Sequence, residues 1–226
     1  MTKRLILHAF SAIALLAAAC AEKVVPPDDT AKVKDAISEA LISGWEQMGF
    51  KQGQSAPDFT LFSSDSKPFT LSKELKKKKP IVMINASYTC DVSRANLESI
   101  LDLANTYSKD ANFFFVYTID AHPSDSPGPY SLENKIEIPK NNVRDKVQAK
   151  QPKTYAERKA LAERWKSRYN IPITVLIDSP DNYFWTNFGQ APNMIYIIAP
   201  DKNVVFKQAW FNHGTATSEL QKLSSE

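Results

Sequence analysis

The order of apolar and polar positions along the chain predicts most of its elements. Residues 5–19, "LILHAFSAIALLAAA", are mostly apolar and end in small side chains, and the polar stretch "AEKVVPPDDT" follows at 21–30. From Ala31 to Met48, apolar or small residues recur at Val33, Ile37, Ala40, Leu41, Gly44, Trp45 and Met48. That helical period predicts a helix over this run, with Thr30 as its cap and Gly49 as its stop. Two short runs, Phe59–Phe62 and Phe69–Leu71, flank a polar turn and predict a hairpin.

Beyond the hairpin the two periods alternate. Ile81–Ile84 predicts a compact strand. Ser93–Tyr107 predicts a helix with Leu97, Ile100, Leu101, Ala104 and Tyr107 on one face. Phe113–Ile119 is too apolar for a strand with one wet face, so burial on both faces is expected. Residues 121–153 carry five prolines and no sustained period, and loops of that length tend to serve function. "TYAE" at 154–157 is a capping box opening a helix to about Tyr169. Strands are expected at Ile173–Ile177, Met194–Ile198 and Val204–Gln208, with a short aromatic segment at 181–188 and a last helix near Thr217. This alternation predicts an α/β fold with a central mixed sheet flanked by helices.

Composition narrows the class. With 226 residues, 43% hydrophobic and 11% aromatic, the chain can bury one sizeable core and is not wholly disordered. Lys3 and Arg4 carry two of the three net positive charges, leaving a balance too even to argue for nucleic acid as a partner. The run "KKKK" at 76–79 fits a solvated loop, with an anionic-lipid or acidic-partner patch as the other reading. The three histidines lack metal-ligand spacing, so no metal is expected, and six glycines leave little scope for a phosphate-binding loop.

The first twenty residues are built like a secretory signal: basic start, apolar middle, small residues before Cys20. "LLAAAC" resembles a bacterial lipoprotein processing site. The resemblance implies cleavage before Cys20, lipid on its sulfur, and, because Ala21 rather than Asp follows, delivery to the outer membrane facing the periplasm. An ordinary signal with an incidental cysteine is the alternative. The expected organisation is a signal peptide at 1–19, a lipidated tether at 20–30, an N-terminal helix at 31–50 and the main domain at 51–226. Cys90 is then the one remaining thiol, and no internal disulfide can form.

Strand, then "ASYTC", then helix places Cys90 at the first turn of a helix, where unpaired N–H groups favour an anion. A thiolate so placed is expected to titrate below the usual value of about 8.5. A buried, inert cysteine is the alternative. His122 follows the neighbouring strand and lies at the same sheet edge, where it can pass protons near neutral pH. Asp120, two residues earlier, is expected to orient it or to add negative charge. The other reading of His122 is a residue that only pins the long loop. Ser93 makes a Cys-x-x-Ser pattern and either donates to the thiolate or merely starts the helix. His213 is expected to be a loop residue.

"QSAPDFTL" and "PIVMINASYTC" resemble the opening of thioredoxin-like redoxins, and "QAPNMIYIIAPDKNVVF" resembles their later half. The resemblance implies a thioredoxin-like fold with an N-terminal hairpin, and a cis proline, here Pro192, against the cysteine. "SYTC" at 87–90 followed by "YTIDAHPSD" at 117–125 further resembles the iodothyronine deiodinase family, over about Ser55–Leu223. In that family a selenocysteine stands at the position of Cys90, and Ser87, Thr89, Tyr117, Asp120 and His122 fall on its motif positions. Tyr88 stands where many members carry a second Cys, Ile119 replaces an acid, and Met194 falls near a substrate-clamping Arg. The resemblance implies reductive dehalogenation of an aromatic small molecule, with no bound cofactor and an external thiol reductant or redox partner protein. Two alternatives stand beside it. One is a one-Cys thiol peroxidase or thiol-disulfide reductase, whose usual Pro and Thr are here Met83 and Ser87. The other is a non-catalytic binding module using the aromatic segment "NYFWTNF" at 182–188.

Overall fold

The computed structural model describes residues 24–39, 41 and 44–225. The leader, and the lipidation expected at Cys20, lie outside the described residues.

The hairpin forms from β1 (Thr60–Ser63) and β2 (Pro68–Thr70), antiparallel with Leu61 opposite Phe69. The short helix α1 (Leu71–Leu75) leads into β3 (Ile81–Ala86), and β4 (Asn112–Tyr117), β5 (Thr174–Ile177), β6 (Ile195–Ile198) and β7 (Val204–Gln208) complete the sheet. The strand order is β2-β1-β5-β4-β3-β6-β7. Strands β3, β4 and β5 are mutually parallel, whereas β1, β6 and β7 pair antiparallel with their neighbours.

Alternation along the central strands feeds both faces. Val82, Ile84 and Phe115 join Trp165 on one side, while Ile81, Met83 and Val116 join Phe184 and Phe188 on the other. That double burial is why these strands read as continuous apolar runs. Because β3, β4 and β5 point the same way, their C-terminal ends open on one edge, where antiparallel β6 begins. Among the described residues, the predicted Ser87, Thr89, Cys90, Tyr117, Asp120, His122 and Pro192 lie at or just beyond this edge.

The helix expected at 93–107 is two: α2 (Asp91–Ala95) and α3 (Leu97–Thr106), jointed at Asn96, whose Nδ2 donates to Asn193 Oδ1 at 2.7 Å. The long stretch 121–153 carries a single short helix, α4 (Lys140–Arg144). Helix α5 (Tyr155–Arg168) starts as its capping residue predicts, with Thr154 Oγ1 accepting from Glu157 N at 3.3 Å. The aromatic segment becomes α6 (Tyr183–Phe188), packed into the core. Helix α7 (His213–Ser224) begins before Thr217 because Asn212 caps it, its Oδ1 accepting from Thr215 N at 3.1 Å. His213 is therefore the first helical residue rather than a loop residue, with Nε2 3.6 Å from Asp102.

The expected N-terminal helix is not formed over residues 31–38. This segment is an extended strap across the sheet edge. Val33 N donates to Lys153 O (3.0 Å), Lys34 N to Pro180 O (2.8 Å) and Tyr155 N to Ala31 O (2.9 Å). Its backbone thus finds partners in neighbouring loops, and Ile37 is left 74% exposed. A single 3-10 turn, Trp45–Gln47, follows. Gly49 has φ +72°, and a Cβ there would collide with the Phe188 carbonyl, so the residue serves a close approach.

Candidate active site around Cys90

After β3 the turn Ser87–Cys90 closes with Cys90 N donating to Ser87 O at 3.3 Å. Cys90 is the N-cap of α2, and its Sγ accepts from Ser93 N at 3.3 Å, the placement that the strand–turn–helix pattern predicts. It is the one free cysteine among the described residues.

This turn is stitched to the segment leaving β4. Thr89 N and Oγ1 both donate to Asp120 Oδ1, at 2.9 and 2.8 Å, and Tyr117 Oη donates to Asp120 Oδ2 at 2.8 Å. Tyr117 Oη in turn accepts from Tyr88 N at 3.1 Å. His122 N donates to Thr89 Oγ1 (3.0 Å) and Ala121 N to Ser87 Oγ (3.3 Å). Ser87, Thr89, Tyr117 and Asp120 are all buried, so these bonds are shielded from water. Ser93 Oγ donates to Pro192 O at 2.9 Å, bringing the corner before β6 against the cysteine helix.

Three expectations are corrected here. First, Asp120 does not orient the His122 ring. Its carboxylate oxygens serve Thr89 and Tyr117, so it fixes the cysteine turn instead. The imidazole faces Asp91, with Nε2 3.8 Å from Oδ1, and the Glu137 backbone. Second, no peptide bond among the described residues is cis, so Ala191–Pro192 is trans. Third, the thiol is not held ionised. Cys90 is 1% exposed, and burial pushes its pKa up, beyond what the hydrogen bonds from Ser93 recover, with Asp91 raising it further.

The rest of the site follows the same logic. Burial lowers the pKa of His122, against the opposing pull of Asp91 and Glu137. Burial raises Asp120, offset by its bonds to Thr89 and Tyr117 and by the Arg158 charge. The resting pair at neutral pH is therefore a protonated thiol and a neutral imidazole. A raised thiol pKa shifts thiolate formation to higher pH. Alkylation of native Cys90 by iodoacetamide is expected to be at least about tenfold slower than in the denatured chain, with its midpoint above the ordinary value of about 8.5. Rapid labelling with a midpoint near neutrality would contradict this description.

Sequence reasoning missed a second set of residues. Asn142, on α4, donates from Nδ2 to Thr89 O (2.8 Å), and Arg94 donates to Asn142 Oδ1 (2.6 Å) and Tyr88 O (3.1 Å). Together they fasten the long excursion to the cysteine turn. The length and proline content of 121–153 marked the segment, but no motif marks Asn142. Met194, where the resemblance places an Arg, is fully buried against Gly189. A cleft of about 840 Å³ is lined by Arg94, Glu98, Tyr169 and His213 among others and is not lined by Cys90.

The comparisons with known proteins agree with this architecture. Solved structures of similar fold include a candidate thioredoxin from Neisseria meningitidis, at 16% identity and TM-score 0.51, covering 78% of this chain and 93% of that one. A candidate thiol:disulfide interchange protein from Chlorobium tepidum matches at 15% identity and TM-score 0.50, over 77% and 99% of the two chains. A candidate protein disulfide isomerase from Bacteroides thetaiotaomicron matches at 14% identity and TM-score 0.50, over 77% and 89%. At such identities the likeness establishes the thioredoxin-like fold alone. The family described as iodothyronine deiodinase matches residues 37–222, most of the chain and all of the cysteine site. The chain belongs to the iodothyronine deiodinase family.

Proposed function

We propose that this thiol-dependent oxidoreductase removes a halogen from an aromatic small molecule, with Cys90 as nucleophile and His122 as proton carrier. The observation that carries the reading is the cap position of Cys90 in a turn bonded, through Thr89 and Ser87, to the Asp120–His122 segment, within a chain of this family. His122 takes the thiol proton, and the sulfur lone pair attacks the halogen. The carbon–halogen electrons pass to carbon, which receives the proton from His122, leaving a sulfur–halogen bond on Cys90. An external thiol displaces halide and forms a mixed disulfide. A second external thiol then releases Cys90 and leaves as the oxidised pair. No second cysteine among the described residues can do this internally.

The sealed thiol favours one other reading, a binding module in which Cys90 stays inert. Purified protein with excess dithiol, offered an iodinated phenol or hydrogen peroxide, separates the possibilities. Iodide release is expected, and His122→Ala is expected to slow it by about a hundredfold or more while affecting peroxide consumption less. Equal slowing of both would remove His122 as the proton carrier, and absence of both activities in the wild type would favour the binding module. Lipid attachment at Cys20 and exposure to the periplasm complete the proposal. They rest on the sequence of residues 1–21.

A further inference from the structure

Cys90 is 1% exposed, yet any chemistry at its sulfur needs a molecule to arrive there. Three segments meet at Gln190, in the corner that Ser93 of the cysteine helix holds through Pro192 O. The Gln190 backbone carbonyl accepts from Tyr130 Oη at 2.8 Å, which ties down the long excursion. Its side-chain Oε1 accepts from Ser38 Oγ at 2.9 Å and from Glu39 N at 2.7 Å, which ties down the strap. Ser38 N donates to Pro129 O at 2.8 Å, joining strap to excursion. Gln190 stands two residues before Pro192, whose carbonyl accepts from Ser93 Oγ, and Ser93 N donates to Cys90 Sγ, so this junction is fastened to the helix start that carries the thiol.

The two sides of the junction are unequally held. The corner 189–193 is bonded from beneath: Asn85 Nδ2 donates to Gly189 O (2.8 Å) and Ala191 O (3.3 Å), and Ser93 Oγ donates to Pro192 O. The strap over 33–38 has no helix or strand of its own, and Ile37 projects into solvent. Opening a segment of this kind is the low-energy way to reach a buried group.

We propose that residues 35–39, anchored at one end by the backbone bonds of Val33 and Lys34, are a latch held shut on Gln190 and Pro129, whose release admits reactants to Cys90. The inference concerns access and holds for any reaction at this sulfur, so it stands or falls separately from dehalogenation.

The test uses the full chain carrying Gln190→Met, which keeps the volume and removes the shared acceptor. Two readings are taken: iodoacetamide labelling of Cys90, and amide hydrogen exchange of Ser38 and Glu39. Labelling about tenfold faster, together with faster exchange at Glu39, is expected from the lost hydrogen bonds. Asp58→Asn, which disturbs a comparable pair of bonds to Ser72 in the hairpin region, is expected to leave labelling unchanged. Should Gln190→Met fail to fold, Ser38→Ala removes one of the two bonds and is expected to raise labelling about threefold. Wild-type labelling in a variant whose Glu39 amide has opened, unchanged labelling in Ser38→Ala, or an equal rise in Asp58→Asn would each overturn the latch.

Discussion

Cys90→Ser is expected to abolish turnover, with a loss of about a thousandfold or more, while leaving the fold intact. The hydroxyl still accepts the Ser93 amide proton that the sulfur accepts at 3.3 Å, so the start of α2 keeps its cap. Its volume change is small for a site buried to 1%. What is lost is a polarizable nucleophile able to take a halogen or an oxygen and give it up to an external thiol, and no other cysteine among the described residues stands in. Iodide release under excess dithiol, alongside a thermal melt, checks both halves. A Ser variant retaining a tenth of the wild-type rate would mean that Cys90 is not the reacting group.

The second large effect is on stability. Asp120→Ala removes the acceptor of three buried donors: Thr89 N, Thr89 Oγ1 and Tyr117 Oη. At roughly 1 kcal/mol or more for each stranded donor, unfolding free energy is expected to fall by about 3 kcal/mol. Asp120→Asn keeps an oxygen for Thr89 and presents an amide to Tyr117, so its loss is expected to be nearer 1 kcal/mol. Denaturant unfolding of the pair measures this order. An Ala variant as stable as the Asn variant would remove Asp120 from its role as the fixture of the cysteine turn. The same variants are expected to make Cys90 more reactive to alkylation, because the turn that buries it loosens.

The position of the thiol was legible in the sequence and its state was not. A compact apolar run followed by "ASYTC" and a helical period puts a cysteine at a helix start by local rules alone, and Cys90 is there. The usual inference from that position is a lowered pKa. Burial overrides it, and burial is a property of the packed tertiary structure that local rules do not register. The misread helix over 31–38 has the same root. Its apolar spacing is real, but the backbone of Val33 and Lys34 is bonded to Lys153 and Pro180, tertiary partners that no local period registers. Asp120 illustrates the limit within the site. Its spacing from His122 suggested an orienting carboxylate, but a backbone amide and two hydroxyls, all buried with it, claim its oxygens first. The strands were readable because burial on both faces leaves an unbroken apolar run, as in β3 and β4.

Sulfur–halogen exchange at Cys90 is tested most directly by a single turnover without reductant. Reduced protein is mixed with excess iodinated phenol at mildly alkaline pH, dehalogenated product is counted, and the Cys90 peptide is read by mass spectrometry after trapping with a sulfenic-acid reagent. The account predicts one dehalogenated phenol per chain, with Cys90 recovered as the trapped sulfenyl product of water on the sulfur–iodine bond. Unreacted Cys90 alongside released iodide, or the same product yield from Cys90→Ser, would contradict it.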